Sequence, residues 1–154
     1  MKDRINIKES SNAQVYPCVP TRELVVFPNM VMHFDVGRPG SVKAMKNALQ
    51  GEGYVFLVAQ KDVNVERPEK NDVYKIGTIA KVKQIIKTPN GVYRCLVEGV
   101  QKAKLAELID EDACYEAEVR NIPNYGRENL SENEITALFR ELKEVFADYA
   151  RVLP

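Results

Sequence analysis

The sequence has little of the chemistry that enzymes and metal sites use. Its 154 residues contain no tryptophan, one histidine (His33) and three cysteines. The cysteines, Cys18, Cys95 and Cys114, are widely spaced, and no two have the C-x-x-C spacing that zinc sites use. An odd number of isolated cysteines favours reduced, mostly buried thiols in a cytosolic protein. We therefore expect an ordinary apolar core to hold the fold together.

The sequence also lacks the motifs of nucleotide hydrolysis and of serine hydrolases. No glycine is followed by lysine, which excludes a phosphate-binding G-x-x-x-x-G-K-[ST] loop in this chain. The four serines, Ser10, Ser11, Ser41 and Ser131, do not occur in a G-x-S-x-G turn. We assign no catalytic, metal-binding or cofactor-binding residue, and we expect this chain to be non-catalytic.

Neither sign of charge is in excess. The 22 basic and 22 acidic residues cancel, whereas a protein devoted to nucleic acid needs a basic excess. Lys81, Lys83 and Lys87 are interleaved with apolar and amide residues and not with the aromatic residues that stack on bases. No apolar run is as long as a membrane span, and the polar first residues lack the apolar core of a signal peptide. We expect a cytoplasmic protein without a membrane partner, and its charge disfavours a nucleic-acid partner.

Alternating and continuous apolar runs predict a β-rich domain. The stretch from Pro17 to Asp35 contains three prolines, and it predicts a strand at residues 23–27, a tight turn at Pro28-Asn29 and a strand at residues 30–36. In the second strand Met32, Phe34 and Val36 share one face. A helix is predicted from an N-cap at Ser41 to Gly51. Further strands are predicted at 54–59, 75–88, 92–98, 100–109 and 114–122. Asn90-Gly91 predicts a two-residue hairpin turn between the strands at 75–88 and 92–98.

A long amphipathic helix is predicted at the end of the sequence. Ser131 and Glu134 have the spacing of a capping box, and apolar residues then recur every three or four positions over about six turns. Such a broad stripe requires an apolar partner surface. Either it covers the β-rich domain or its partners lie outside this sequence, and we favour the second. The stripe residues that we assign to self-association are Leu138, Phe139, Leu142, Val145, Phe146 and Tyr149.

Apolar residues around the predicted turn at Pro28-Asn29 are the candidates for a binding site. Methionine is flexible and polarizable, which suits surfaces that accept varied apolar partners. These side chains either fill the core or form a shallow site for apolar segments of unfolded proteins. The candidate residues are Leu24, Phe27, Pro28, Met30 and Met32.

Three blocks of the sequence resemble the amino-terminal domain of ATP-dependent Lon proteases. They are PTRELVVFPNMVMHFDVGR at 20–38, which runs into 41–45; VFLVAQKD at 55–62; and DVYKIGTIAKV at 72–82, continued through the turn to LVEGV at 96–100. They occur in the order and at the spacing of that family, from about residue 16 to 105. Two positions depart from the family pattern: Thr21 stands where leucine is usual, and Asn29 stands where a small residue is usual. These departures affect the expected details of the turn and not the resemblance itself.

The resemblance implies a fold and a parent protein. The expected fold is α+β: a β-rich PUA-like pseudo-barrel of about six mostly antiparallel strands with one short packed helix, followed by a long C-terminal amphipathic helix. The parent would be a hexameric serine protease that uses ATP and Mg²⁺, and its ATPase and Ser-Lys catalytic parts match no residue here. The expected domains are a tail at 1–13, the β-rich domain at 14–122, and a linker with the start of a helical subdomain at 123–154 of a truncated chain.

We therefore expect the chain to be a non-catalytic domain for substrate recognition and assembly. Its expected partners are unfolded or damaged proteins, adaptors and further copies of the same chain, with a dimer as a candidate state of the fragment. Two alternatives remain open at this point: a stand-alone LON-domain adaptor protein and an RNA-binding PUA-like protein.

Overall fold

A computed structural model of the protein describes residues 13–111, 113–122 and 129–153. The contacts group the chain into two units, Met1–Pro123 and Asn124–Pro154, which are described separately. Ala13 already belongs to the first strand, so the rest of the predicted tail lies outside the described residues, as does most of the predicted linker. The division into domains stays a prediction.

The described residues of the first unit form six strands, one helix and a short 3₁₀ turn. In chain order these are β1 (Ala13–Thr21), β2 (Val31–Val36), α1 (Pro39–Gln50), β3 (Tyr54–Ala59), the 3₁₀ turn (Lys70–Asp72), β4 (Ile76–Lys87), β5 (Tyr93–Glu111) and β6 (Cys114–Asn121). The α+β class, the six strands and the short helix confirm the expected fold.

The strands form a sheet that closes on itself. Their order is β2-β5-β4-β3-β1-β6, and β6 also pairs with β5, so five strands make a barrel and β2 lies outside it. Only the β1–β3 pair is parallel. A strand has two edges, and β4 occupies one edge of β5 from Tyr93 to Lys104. The other edge is shared, because residues 93–98 pair with β2 and residues 103–111 pair with β6.

Two apolar clusters fill the interior of this unit. The first contains the buried face of α1 together with Val36 of β2, and the second surrounds Phe56 of β3. All three cysteines are free and buried, which places their thiols in the core. The buried residues of α1 are Ser41, Ala44, Met45 and Ala48.

The predicted strand at residues 23–27 is wrong. The chain leaves β1 at Thr21, and Glu23 has a φ of 54°, outside the extended region that a strand requires. The carbonyl of Val26 accepts a hydrogen bond from the Thr78 side chain and not from a neighbouring strand. The apolar run is therefore a loop that contacts the barrel through selected residues. The extended stretch before it, which contains Pro17 and Pro20, forms the strand instead.

Two further local predictions need correction. Helix α1 begins at Pro39 after an N-cap at Arg38, so Ser41 is a buried residue of the first turn and not the cap. The hairpin loop has three residues, not two: Thr88 N–H donates to Val92 O at 2.8 Å, and only Gly91 has a positive φ, of 81°. This is the three-residue type of hairpin loop, in which a type I turn is followed by a glycine in the left-handed conformation.

Strands β4 and β5 differ from the prediction because of irregularities in their pairing. A register shift between Val82 and Gln84 reverses the alternation of β4. As a result Ile85 packs against the core, while Ile86, which strict alternation would place on the same side as Val82, is exposed. Strand β5 runs through Gly99, where two separate strands were expected, because it pairs with β4 on both sides of that glycine.

The second unit contains the predicted helix. Helix α2 runs from Glu132 to Val152, and its capping box is formed as expected, with Ser131 Oγ accepting from Glu134 N–H. None of the described residues of α2 is buried. The described helices include no segment long and apolar enough to cross a membrane.

The buried cysteines predict slow thiol chemistry. Burial raises the pKa of Cys18 and Cys114, and it raises that of Cys95 from 9.0 to about 11, with a smaller contribution from Asp35. Because the thiolate is the reactive form, native protein at pH 8 should react with Ellman's reagent at least about a hundredfold more slowly than protein in guanidinium. Rapid reaction of any of the three in native protein would contradict their burial.

Candidate functional site

A loop that crosses the barrel between β1 and β2 carries most of the predicted site residues. We call residues 22–30 the crossover segment. Two threonine side chains hold its first half: Thr21 Oγ1 donates to Leu24 O at 2.7 Å, and Thr78 Oγ1 donates to Val26 O at 2.5 Å. These bonds satisfy carbonyl groups that have no strand partner.

The second half of the crossover segment is held by the backbone of β5. Asn29 N–H donates to Gly99 O and Gly99 N–H donates to Met30 O, both at 2.8 Å. Met30 N–H also closes the predicted turn by donating to Phe27 O at 3.1 Å, and Asn29 has a φ of 67°. The turn at Pro28-Asn29 is thus confirmed, and it is fixed against the middle of the sheet.

The crossover segment directs some of its apolar side chains inward and others outward. Val26 is buried in the first core cluster, and Leu24 packs partly against the same cluster. Val25 and Phe27 are 55% and 58% exposed. A segment that is extended and anchored at every second residue exposes the residues between the anchors.

The exposed side chains border a groove of about 340 Å³. Its opposite wall comes from the start of β4 and the loop before it, where Tyr74 and Ile76 are also exposed. Lys102 supplies the one charge among the described residues that line the groove. The lining residues are Thr21, Leu24, Val25, Val26, Phe27, Leu57, Ala59, Tyr74, Ile76, Gly77, Thr78 and Lys102.

The structure brings together only part of the predicted set. Leu24 and Phe27 line the groove. Met30 is exposed and Pro28 is partly buried, but neither lines the groove. Met32 is half-buried and packs against the first core cluster, because it lies on the inward face of β2. Their role in binding stays a prediction.

Among the lining residues that the sequence did not predict, three are exposed and apolar: Val25, Tyr74 and Ile76. Val25 was assigned to a strand that does not exist. Tyr74 and Ile76 flank Lys75 at the predicted start of a strand, and an apolar pair on either side of a charged residue at a strand end is a weak signal. Their position opposite Phe27 depends on how the crossover segment folds back, which no local pattern encodes.

The described residues do not supply the ligands of a metal centre. No group of three or more His, Cys, Asp and Glu side chains among them could hold a metal ion. His33 lines a shallow depression with Phe34, Asp35 and Arg94 on the outer side of β2. Asp35 is held there by Arg94 in a two-point ion pair at 2.9 and 3.1 Å, which lowers the pKa of that carboxyl.

The predicted row of lysines is partly neutralised. Lys83 lies 2.5 Å from a carboxylate oxygen of Glu98 on the neighbouring strand, and this contact lowers the pKa of Glu98. Lys81 and Lys87 are exposed on the same strand. The row therefore offers less positive charge than the sequence suggests.

The helix residues assigned to self-association are all exposed. Their exposed fractions range from 53% for Leu138 to 66% for Phe146. The spacing places them along one side of α2, as the sequence predicts.

Comparisons with known proteins give a consistent match. The family model of the ATP-dependent protease La (LON) substrate-binding domain matches residues 15–153. The Lon protease of Bacillus thuringiensis (strain Al Hakam) is 38% identical over 143 residues, which cover 93% of this chain. That of Brevibacillus choshinensis is 39% identical over 144 residues, which cover 94%. In both cases the chain spans 18% of the length of the relative.

A solved structure matches the fold. The N-terminal domain of the Mycobacterium avium complex Lon protease aligns with a TM-score of 0.61 at 18% sequence identity. The alignment covers 91% of this chain and 76% of that structure.

Gly99 is predicted to be essential for the position of the crossover segment. A Cβ atom at Gly99 would lie 2.1 Å from Phe27 O, so Gly99→Ala must displace the segment. We expect a loss of roughly 1–3 kcal/mol in the free energy of unfolding, measured by urea titration. Gly37→Ala is the matched control: a Cβ there meets nothing within 4 Å, so the change should stay within about 0.5 kcal/mol. Equal losses would contradict the close approach.

Proposed function

We propose, since this chain belongs to the family of ATP-dependent protease La (LON) substrate-binding domains, that its groove binds apolar segments of unfolded or damaged proteins. The observation that carries the proposal is the exposure of four large apolar side chains, Val25, Phe27, Tyr74 and Ile76, around one groove. A cluster of exposed apolar side chains is typical of a surface that is covered by a partner.

The chemistry of the groove favours a broad choice of segments. Its walls are apolar apart from Lys102 and two threonines, so few polar groups are available to select a particular side chain. Two of the rim residues, Val25 and Phe27, lie on a segment fixed by four hydrogen bonds to side chains and backbone. The groove is therefore preformed and does not have to be ordered when a segment binds.

The expected affinity of one groove is low. Each of the four half-exposed side chains can contribute about 1 kcal/mol when it is fully covered. Their sum of about 4 kcal/mol corresponds to a dissociation constant near 1 mM. Weak binding suits a domain that captures a chain and then releases it. Several copies in one assembly would raise the effective affinity without any new contact.

In the longer protein this domain would serve a protease that acts elsewhere in the chain. The sequence described here has no phosphate-binding loop, so ATP hydrolysis and peptide cleavage belong to other parts of such a parent. We propose that the parent degrades misfolded and regulatory proteins in the cytoplasm, and that this domain delivers them, with or without adaptors.

We assign a role in assembly to α2. Its exposed stripe, Leu138 to Tyr149, is long enough to pack against a second apolar helix over several turns. In the chain as it stands, a second copy is the partner that is always present at high concentration. An isologous dimer would bury the stripes of both copies.

The groove is tested by a matched pair of variants. Phe27→Gln removes one apolar wall, whereas Ile86→Gln makes the same kind of change at an exposed residue of β4 that does not line the groove. We expect Phe27→Gln to weaken binding of reduced, carboxymethylated α-lactalbumin about fivefold, and Ile86→Gln to leave it within about twofold. The measurement is an NMR titration of the labelled chain. Equal affinities of the two variants would overturn the assignment of the groove.

The helix is tested by sedimentation equilibrium. The double variant Leu142→Gln with Phe146→Gln removes two central residues of the stripe, and Lys143→Gln changes a charged residue between them. We expect the parent chain and Lys143→Gln to associate with a dissociation constant of about 100 µM or tighter, and the double variant to be monomeric. A monomeric parent chain at millimolar concentration would contradict self-association through α2.

A further inference from the structure

Several stretches of strand edge have no strand partner among the described residues of the first unit, and those on β1, β4 and β2 differ in how they are protected. Strand β1 pairs with β6 through residues 13–18, so the edge of residues 19–21 opposite β3 is open. Strand β4 pairs with β3 only through residues 78–81, which leaves its edge open at residues 83–87. Among the described strands β2 pairs with β5 alone, so no described strand covers its outer edge. An open edge presents backbone N–H and C=O groups to any extended chain.

The edges of β1 and β4 are protected. On β1, Pro20 has no N–H group, and its carbonyl accepts a hydrogen bond from the guanidinium of Arg38. On β4, the open stretch ends at the exposed Lys87, while Lys83 at its start is paired with Glu98. Proline and lysine are the residues by which natural proteins prevent edge strands from pairing with other chains.

The edge of β2 has neither form of protection. Its sequence, Val-Met-His-Phe-Asp-Val, contains no proline and no lysine. Its one charged residue at neutral pH, Asp35, is neutralised by the two-point ion pair with Arg94 of β5. The difference from β1 and β4 indicates that the edge of β2 is left accessible for a partner.

The register identifies the backbone groups that face outward. Opposite residues in an antiparallel pair alternate between those that exchange hydrogen bonds and those that do not. Gly99 N–H donates to Met30 O, so the alternation directs the backbone of Met32, Phe34 and Val36 toward β5. The backbone N–H and C=O groups of the intervening residues, Val31, His33 and Asp35, face the open edge.

A cleft beside β2 provides space for the side chains of a bound segment. It has a volume of about 530 Å³ and lies between the end of β1 and the second half of β2. Apolar residues from both sides line it, namely Val19, Leu24, Phe34 and Val36. A strand added to β2 would direct alternate side chains to this side of the sheet.

The charge of the cleft favours an acidic group among those side chains. Arg22 and Arg38 both line the cleft. Arg22 is paired with Glu66 at 3.0 Å, whereas Arg38 donates to a neutral amide oxygen of Gln60 and to backbone carbonyls. Burial and the neighbouring Arg22 lower the pKa of Arg38, although an arginine stays charged at neutral pH. The two arginines therefore carry one positive charge more than their carboxylate partner, and Asp35, which also lines the cleft, is paired with Arg94.

We propose that β2 accepts an extended segment of an unfolded protein as a seventh strand, with apolar side chains and an acidic one directed toward the cleft. This inference rests on the proposed function and specifies how the segment is held. Backbone hydrogen bonds are common to every sequence, so addition of a strand suits the recognition of varied substrates. The groove beside the crossover segment would contact another part of the same unfolded chain.

Amide hydrogen exchange tests the proposal directly. In the ¹⁵N-labelled chain, an excess of reduced, carboxymethylated α-lactalbumin should slow exchange at Val31, His33 and Asp35 by at least about tenfold, because these amides gain partners. Binding without this protection would overturn strand addition and leave the proposed function intact. Absence of any binding would overturn both. Protection that appears without α-lactalbumin and grows with protein concentration would assign the edge to a second copy instead.

Two substitutions at His33 distinguish the contribution of the backbone to binding from that of the side chain. His33→Pro removes an outward N–H group and places a ring on the open edge, which an edge strand tolerates, whereas His33→Ala changes the side chain alone. We expect His33→Pro to weaken binding of the same probe at least about tenfold and His33→Ala to change it less than about twofold. Circular dichroism melting checks that both variants fold. Equal affinities of the two folded variants would overturn the proposal.

Discussion

The arrangement of this domain depends on the close approach of two backbones at Gly99. The middle of β5 exchanges hydrogen bonds with Asn29 and Met30 while the carbonyl of Phe27 occupies the space that a side chain would need. That contact fixes where the crossover segment ends and where β2 begins. The exposed rim of the groove and the outer edge of β2 are therefore both positioned from one point on the sheet.

The two proposed binding features differ in the physical property that they recognise. The groove offers apolar area and few hydrogen-bonding groups, so it responds to hydrophobic side chains. The edge of β2 offers backbone groups, so it responds to an extended conformation. Exposed apolar side chains and an extended backbone occur together in unfolded proteins and are rare together on folded ones. A domain that requires both would discriminate by folding state and not by sequence.

Features set by local pattern were predictable, and those set by pairing were not. The alternation in β2, the apolar run of β3 and the capping box of α2 were correctly identified, because each depends on neighbouring residues. The apolar residues 23–27 resemble a strand locally, but β1 already occupies the position beside β3. The register shift in β4 moves the side chain of Ile86 to the exposed side of the strand. That shift depends on how β4 pairs with β5.

The sequence by itself determined the family, the β-rich class and the absence of a nucleotide-binding loop from this chain, because motifs and periodicity are properties of short segments. It also indicated that the turn at Pro28-Asn29 is surrounded by apolar residues. Only the tertiary structure decided which of them are exposed: Phe27 borders a groove with Tyr74 and Ile76, while Met32 faces the core. Exposure depends on which surfaces meet across the barrel, and those surfaces come from residues far apart in the chain.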